Sequence, residues 1–150
     1  MAITFDVTER FPVAPDRVYA ALTDLEGIRS WIRGFVRLEQ VAGHGFEVGT
    51  AWLETRKIFG REATEHFEVT AMEPPKRIVL RVDGRKGSSK RGEYLYDYHI
   101  EPDADGSVVH LHGEIRDLGR FGGLLGRLMV GPYKQACVKD LVALRDHMVA

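Results

Sequence analysis

The hydrophobic period of this chain changes once, and that change constrains the fold more than any motif. Between Phe35 and Asp117 apolar and polar residues alternate in short runs broken by turn residues. From Leu124 to Met148 the apolar residues Leu124, Leu125, Leu128, Met129, Tyr133, Ala136, Cys137, Leu141, Leu144 and Met148 recur at three- and four-residue steps. The first pattern is that of half-buried strands, the second that of a long amphipathic helix. Antiparallel strands bury one face, and the closing helix is the only large element able to cover it.

Turn residues set the strand limits. Gly43-His44-Gly45, Gly60-Arg61, Glu73-Pro74-Pro75-Lys76, the loop Gly84 to Gly92 and Pro102 to Gly106 divide the region into strands over 35–42, 51–59, 62–72, 77–83, 93–101 and 107–117. A further strand opens the chain, with Ile3, Phe5, Val7 and Phe11 on one face and Glu9 as its only charged member. Pro15 and Asp16 then suit the first turn of a helix carrying Val18, Ala21, Leu22 and Leu25, ended by Gly27. A second short helix follows through Ile28, Trp31 and Ile32. Gly131-Pro132 inside the terminal helix is expected to kink or divide it. The expected class is α+β: a curved antiparallel sheet of about seven strands wrapped around a long C-terminal helix, with two short helices after the first strand. Residues 1–150 contain no internal repeat or linker and are expected to form a single domain.

Charge and cysteine content bound the function. Lys plus Arg total 21 against 22 Asp plus Glu, so there is no basic excess of the kind that nucleic-acid binding needs, and no nucleic-acid partner is expected. The lone Cys137 cannot form an internal disulfide, which suits a reducing compartment. The N-terminal residues lack signal-peptide character, and no run reaches the ~18 apolar residues of a membrane span. No integral membrane association and a cytoplasmic location are therefore expected.

Several ordered motifs carry a family resemblance. Phe11-Pro12-Val13-Ala14-Pro15-Asp16-Arg17-Val18-Tyr19 is followed by Leu22-Thr23-Asp24 and Trp31. Val48-Gly49-Thr50, Arg56 to Gly60, Phe67-Glu68-Val69 and Glu73-Pro74-Pro75-Lys76-Arg77 come next. Tyr98-His99-Ile100-Glu101-Pro102, Asp105-Gly106-Ser107-Val108 and the terminal Asp140-Leu141-Val142-Ala143-Leu144-Arg145 complete the set. In order and spacing the chain resembles the START-like (SRPBCC) superfamily, which includes the birch-pollen allergen family, and within it the polyketide cyclase/dehydrase-type proteins. The resemblance implies a helix-grip fold with a hydrophobic cavity between sheet and long helix. It implies no single reaction, because the superfamily spans lipid and steroid carriers, aromatases and cyclases without a shared catalytic triplet.

The side chains supply the candidate site. If Gly60 and Arg61 form a two-residue turn, Arg56 opposes Glu65, Glu54 opposes Phe67 and Trp52 opposes Val69. The apolar face of the return strand then places Trp52, Glu54, Arg56 and Glu65 on the inner side. Buried charges require partners, so this cluster is either an anchor for the polar end of a ligand, a general acid/base centred on Glu54, or an ion-pair cluster at a wet cavity mouth. Tyr94, Tyr96 and Tyr98 share one strand face and offer rings with hydroxyls. Trp31, Phe67, Met129 and Tyr133 complete the expected lining. His99, His110 and His112, with Asp97 and Glu114, fall on the face opposite the apolar Val109, Leu111 and Ile115, so a solvated outer face is expected and no metal site. No cofactor motif is present either: Gly122 to Gly126 lacks a phosphate-binding context.

The expected activity is binding of a hydrophobic small molecule (a lipid, isoprenoid or aromatic polyketide) between sheet and helix. The alternatives are a polyketide cyclase or dehydratase using Glu54 as general acid/base, and a noncatalytic interaction module whose cavity is filled by its own side chains. The sheet edge and the basic loop from Arg85 to Arg91 are surfaces on which a homodimer could form.

Overall fold

The computed structural model describes residues 2–119 and 122–149. β1 (Ile3–Phe11) is followed by α1 (Pro15–Leu22), a single 3₁₀ turn (Ile28–Ser30), β2 (Phe35–Ala42), β3 (Ala51–Ile58), β4 (Arg61–Glu73) and β5 (Arg77–Asp83). A second 3₁₀ turn (Gly84–Lys86), β6 (Glu93–Asp103), β7 (Gly106–Arg116) and α2 (Gly122–Val149) complete the order. The strands pair antiparallel throughout, in the order β1-β7-β6-β5-β4-β3-β2. This is the expected helix-grip arrangement, an open sheet closed by one long helix.

Local chemistry explains the elements. Ala14 is extended and caps α1, with Pro15 at the first position, where its missing N–H costs nothing, and Asp16 in the positive first turn. The second expected helix is reduced to one 3₁₀ turn. α2 runs through Pro132 as one element, so the expected division there does not occur.

Along β1, Phe5, Val7 and Phe11 are buried against Val109, Leu111, Leu141 and Leu144 in the main core. Glu9, the charged exception on that face, meets the guanidinium of Arg145 from α2. This ion pair fastens the last turns of the helix to the first strand. At the next crossing, the ring of Phe5 lies over the bare backbone of Gly113, its partner on β7.

The β3–β4 hairpin corrects the expected register. Its turn residues are Phe59 and Gly60, both with positive φ (52° and 78°), and the last pair is Ile58 with Arg61. Glu54 therefore faces Glu65, Trp52 faces Phe67 and Arg56 faces Ala63. The slip is two residues. An even slip changes partners but keeps every side chain on its face, so the inner placement of Trp52, Glu54, Arg56 and Glu65 survives.

Candidate functional site

β3 delivers Trp52, Glu54 and Arg56 to the inner face, and α2 delivers Asp140 opposite them. Glu54 is 3% exposed, and both of its oxygens are engaged. Oε1 accepts from Trp52 Nε1 at 3.4 Å and Oε2 from Arg56 Nε at 2.9 Å. Arg56 Nη1 reaches across to Asp140, 3.1 and 3.0 Å from its two carboxylate oxygens. Arg33 Nε approaches the same carboxylate at 3.9 Å. Two carboxylates thus share two guanidinium groups, and the buried charge is balanced, as it must be in an apolar surrounding.

Burial alone would lower the pKa of Arg56, but Asp140 and Glu54 outweigh it and hold the guanidinium firmly protonated. Its bonds to the carboxylates use Nε and Nη1. Nη2 keeps a donor with no hydrogen-bond partner among the described residues.

Around this cluster lies an aromatic-walled gap. Trp52 stacks on Phe67 with ring centroids 5.4 Å apart, and Phe46 packs against Trp52 at 5.7 Å. Leu22, Ile28, Trp31, Ile32, Ile78, Leu80, Tyr98 and Leu141 close the remaining walls, and about 60 Å³ is open. That is room for roughly two water molecules. Burial, reinforced by Cys137 and Asp140, raises the pKa of Tyr98, so its phenol stays neutral and can donate. A larger opening of about 340 Å³ lies at the other end, among Ile3, Ile115, Leu118 and Gly122, and none of the expected site residues lines it.

A second polar group occupies the interior nearer the start of α2. Tyr94 stacks on Tyr133 with centroids 4.9 Å apart, and burial raises the pKa of Tyr94, Tyr96 and Tyr133 alike. Glu65 Oε1 accepts from Ser89 Oγ at 2.6 Å, while its buried Oε2 has no partner. Burial accordingly raises the pKa of Glu65, with the Ser89 hydroxyl acting against the shift.

The expected residues therefore separate. Trp31, Trp52, Glu54, Arg56, Phe67 and Tyr98 come together at the gap; Glu65, Tyr94, Tyr96 and Tyr133 form the second group. Met129 is half-buried on α2 and does not line the gap. Asp140 was missed, although it is a charge set among the apolar positions Cys137, Leu141 and Leu144 of the helix. His99, His110 and His112 lie on the outer face, each nearly half exposed, where His112 contacts Asp6 at 2.9 Å and His110 contacts Thr8 at 3.2 Å. Cys137 is buried, and burial with Asp140 nearby pushes its thiol up to about 12, against the opposing pull of Arg56.

The sequence profile of the family described as polyketide cyclase / dehydrase and lipid transport matches residues 2–149. No curated protein matches the sequence. Among solved structures, Ara h 8.0201 superposes with a TM-score of 0.79 at 16% identity, covering 99% of this chain and 99% of its own. TTHA0849 from Thermus thermophilus gives 0.76 at 21% identity, over 98% of this chain and 97% of that one. The ginseng major latex-like protein 151 from Panax ginseng gives 0.74 at 9% identity, over 98% and 95%. At these identities the likeness is one of fold.

Proposed function

The chain belongs to the polyketide cyclase/dehydrase and lipid transport family, and from that premise we propose that it binds one hydrophobic small molecule between its sheet and α2. Arg56 is the anchor. The observation that carries this reading is a guanidinium held by Glu54 and Asp140 at the wall of an aromatic gap, with Nη2 left to donate. Because two carboxylates already neutralise the cluster, the group it selects is a neutral acceptor, a carbonyl or hydroxyl, and the rest of the ligand is apolar. Burial of that apolar part supplies affinity at roughly 25 cal/mol per Å² before ordering costs.

The gap must widen for any such ligand, since only about 60 Å³ is open. The Ile28–Ser30 turn with Trp31, and the Phe46 loop, line the gap from outside the sheet strands, and they are the elements that would have to shift. The geometry favours holding over proton transfer: Glu54 is 3% exposed, and each of its oxygens already accepts a bond, from Trp52 and from Arg56. The small volume is the one feature that favours a cavity filled by its own side chains.

Native mass spectrometry of protein purified without detergent separates the readings. A stoichiometric apolar adduct, lost on denaturation and depleted in Arg56→Met, is expected. An adduct-free chain that also takes up no carbonyl-bearing apolar compound would overturn the proposal in favour of a filled core.

A further inference from the structure

The tip of the β3–β4 hairpin is built against turn preference. Positions of positive φ in a two-residue turn favour Gly, Asn or Asp, and a bulky side chain there is strained. Here Phe59 takes that position with φ 52° and its ring fully exposed, beside Ile58, which is 51% exposed. Two apolar residues are thus exposed in succession, the second at a position whose backbone disfavours it. Exposed Lys57 and Arg61 flank them directly, and Glu62, the cross-strand partner of Lys57, is paired with Arg37 at 3.4 Å, so the cations outnumber the one carboxylate at the tip.

Further basic residues stand alongside. The loop carrying Lys86, Lys90 and Arg91 is tied to β4, with Ser88 N donating to Thr64 O at 2.7 Å and Thr64 N donating to Ser88 Oγ at 2.8 Å. The hairpin also adjoins the candidate site. Arg56 at the gap precedes the tip by three residues, and Lys57 N donates to Gly34 O at 2.7 Å, fastening the hairpin to the segment that carries Trp31 and Ile32.

We propose that this hairpin tip docks the protein on an anionic lipid surface, with Phe59 and Ile58 entering the acyl boundary and the flanking Lys57 and Arg61 lying among the headgroups. An apolar wedge within a basic rim matches that surface in both its parts. Docking brings the strand that carries Arg56 to the bilayer, the phase from which a hydrophobic ligand would come. The proposal rests on the ligand-binding reading for the direction of traffic, but not for the docking itself.

Flotation of the full chain with vesicles of phosphatidylcholine alone, or of equal phosphatidylcholine and phosphatidylserine, tests it. Binding to the anionic vesicles only is expected, weakening as salt rises. Phe59→Gly suits the positive φ and keeps the fold, and its partitioning should fall about tenfold. Arg61→Glu should weaken binding as well. Wild-type protein that ignores anionic vesicles, or binds both kinds equally, contradicts the proposal, as does unchanged binding of Phe59→Gly. A wild-type dimer that Phe59→Gly dissociates, without vesicle binding, would make the tip a contact between copies and overturn it too. Uptake of Nile red by Phe59→Gly in solution reports the gap separately, so failure of docking and failure of ligand binding remain distinguishable.

Discussion

Arg56 on β3 and Asp140 on α2 are joined by two hydrogen bonds, 3.1 and 3.0 Å from one guanidinium nitrogen to the two carboxylate oxygens. This contact crosses the interior from sheet to helix, 84 residues apart in sequence. Through its Nε the same guanidinium also serves Glu54, which is buried and without Arg56 would retain only the longer bond from Trp52.

Removing the guanidinium is therefore expected to do more than delete a pair. Arg56→Met leaves Glu54 and Asp140 without their shared cation, and should lower unfolding stability by about 3 kcal/mol. Asp140→Asn keeps the shape and one acceptor, and should cost about 1 kcal/mol. Urea denaturation of both variants and of the double variant checks this. Additive losses would contradict the coupling seen between the two residues.

Glu65 gives a pH dependence of defined sign. Burial raises its folded pKa above the ordinary 4.5. A carboxyl raised on folding favours the native state while protonated, and that contribution disappears as pH rises through the raised value. Glu65→Gln should thus raise Tm at neutral pH, with the gain vanishing in acid below the ordinary carboxyl range. A gain confined to acid would reverse the assignment.

Gly113 has no room for a side chain, because the Phe5 ring occupies the place of its Cβ. Gly113→Ala should destabilise by about 1–3 kcal/mol through overpacking. Adding Phe5→Leu should recover part of the Tm lost by Gly113→Ala, whereas independent effects would simply add.

Cys137 should be inert in the native state, since its thiol is buried and raised to about 12. Ellman's reagent at mildly alkaline pH is expected to react only after unfolding. Rapid stoichiometric reaction with native protein would show that α2 opens readily beside the gap.

Much of this architecture was legible from periodicity alone. The limits of β2 and β5 agree with the turn signals at both ends, and the period change after Asp117 marks α2. The β3–β4 register was not legible, because Phe59 gives no sign in sequence that it will adopt positive φ in place of Arg61. The face of Glu54 and Arg56 was recovered all the same, since alternation survives a two-residue slip. Asp140 escaped for a different reason: pairing between a strand and a distant helix leaves no local pattern. Its only trace is a carboxylate interrupting the apolar stripe between Cys137 and Leu144. The separation of Glu65 and Tyr133 from the Arg56 cluster likewise depends on how the helix crosses the sheet, which periodicity does not encode.

On the proposed function, the space beside Arg56 admits a neutral, acceptor-bearing apolar molecule. Fluorescence titration with Nile red, an uncharged aromatic dye with a carbonyl, tests it most directly. Saturable binding at one site per chain is expected, weakened about tenfold in Arg56→Met through loss of the donor and its partners. Absence of a saturable site, or binding indifferent to Arg56, would contradict it.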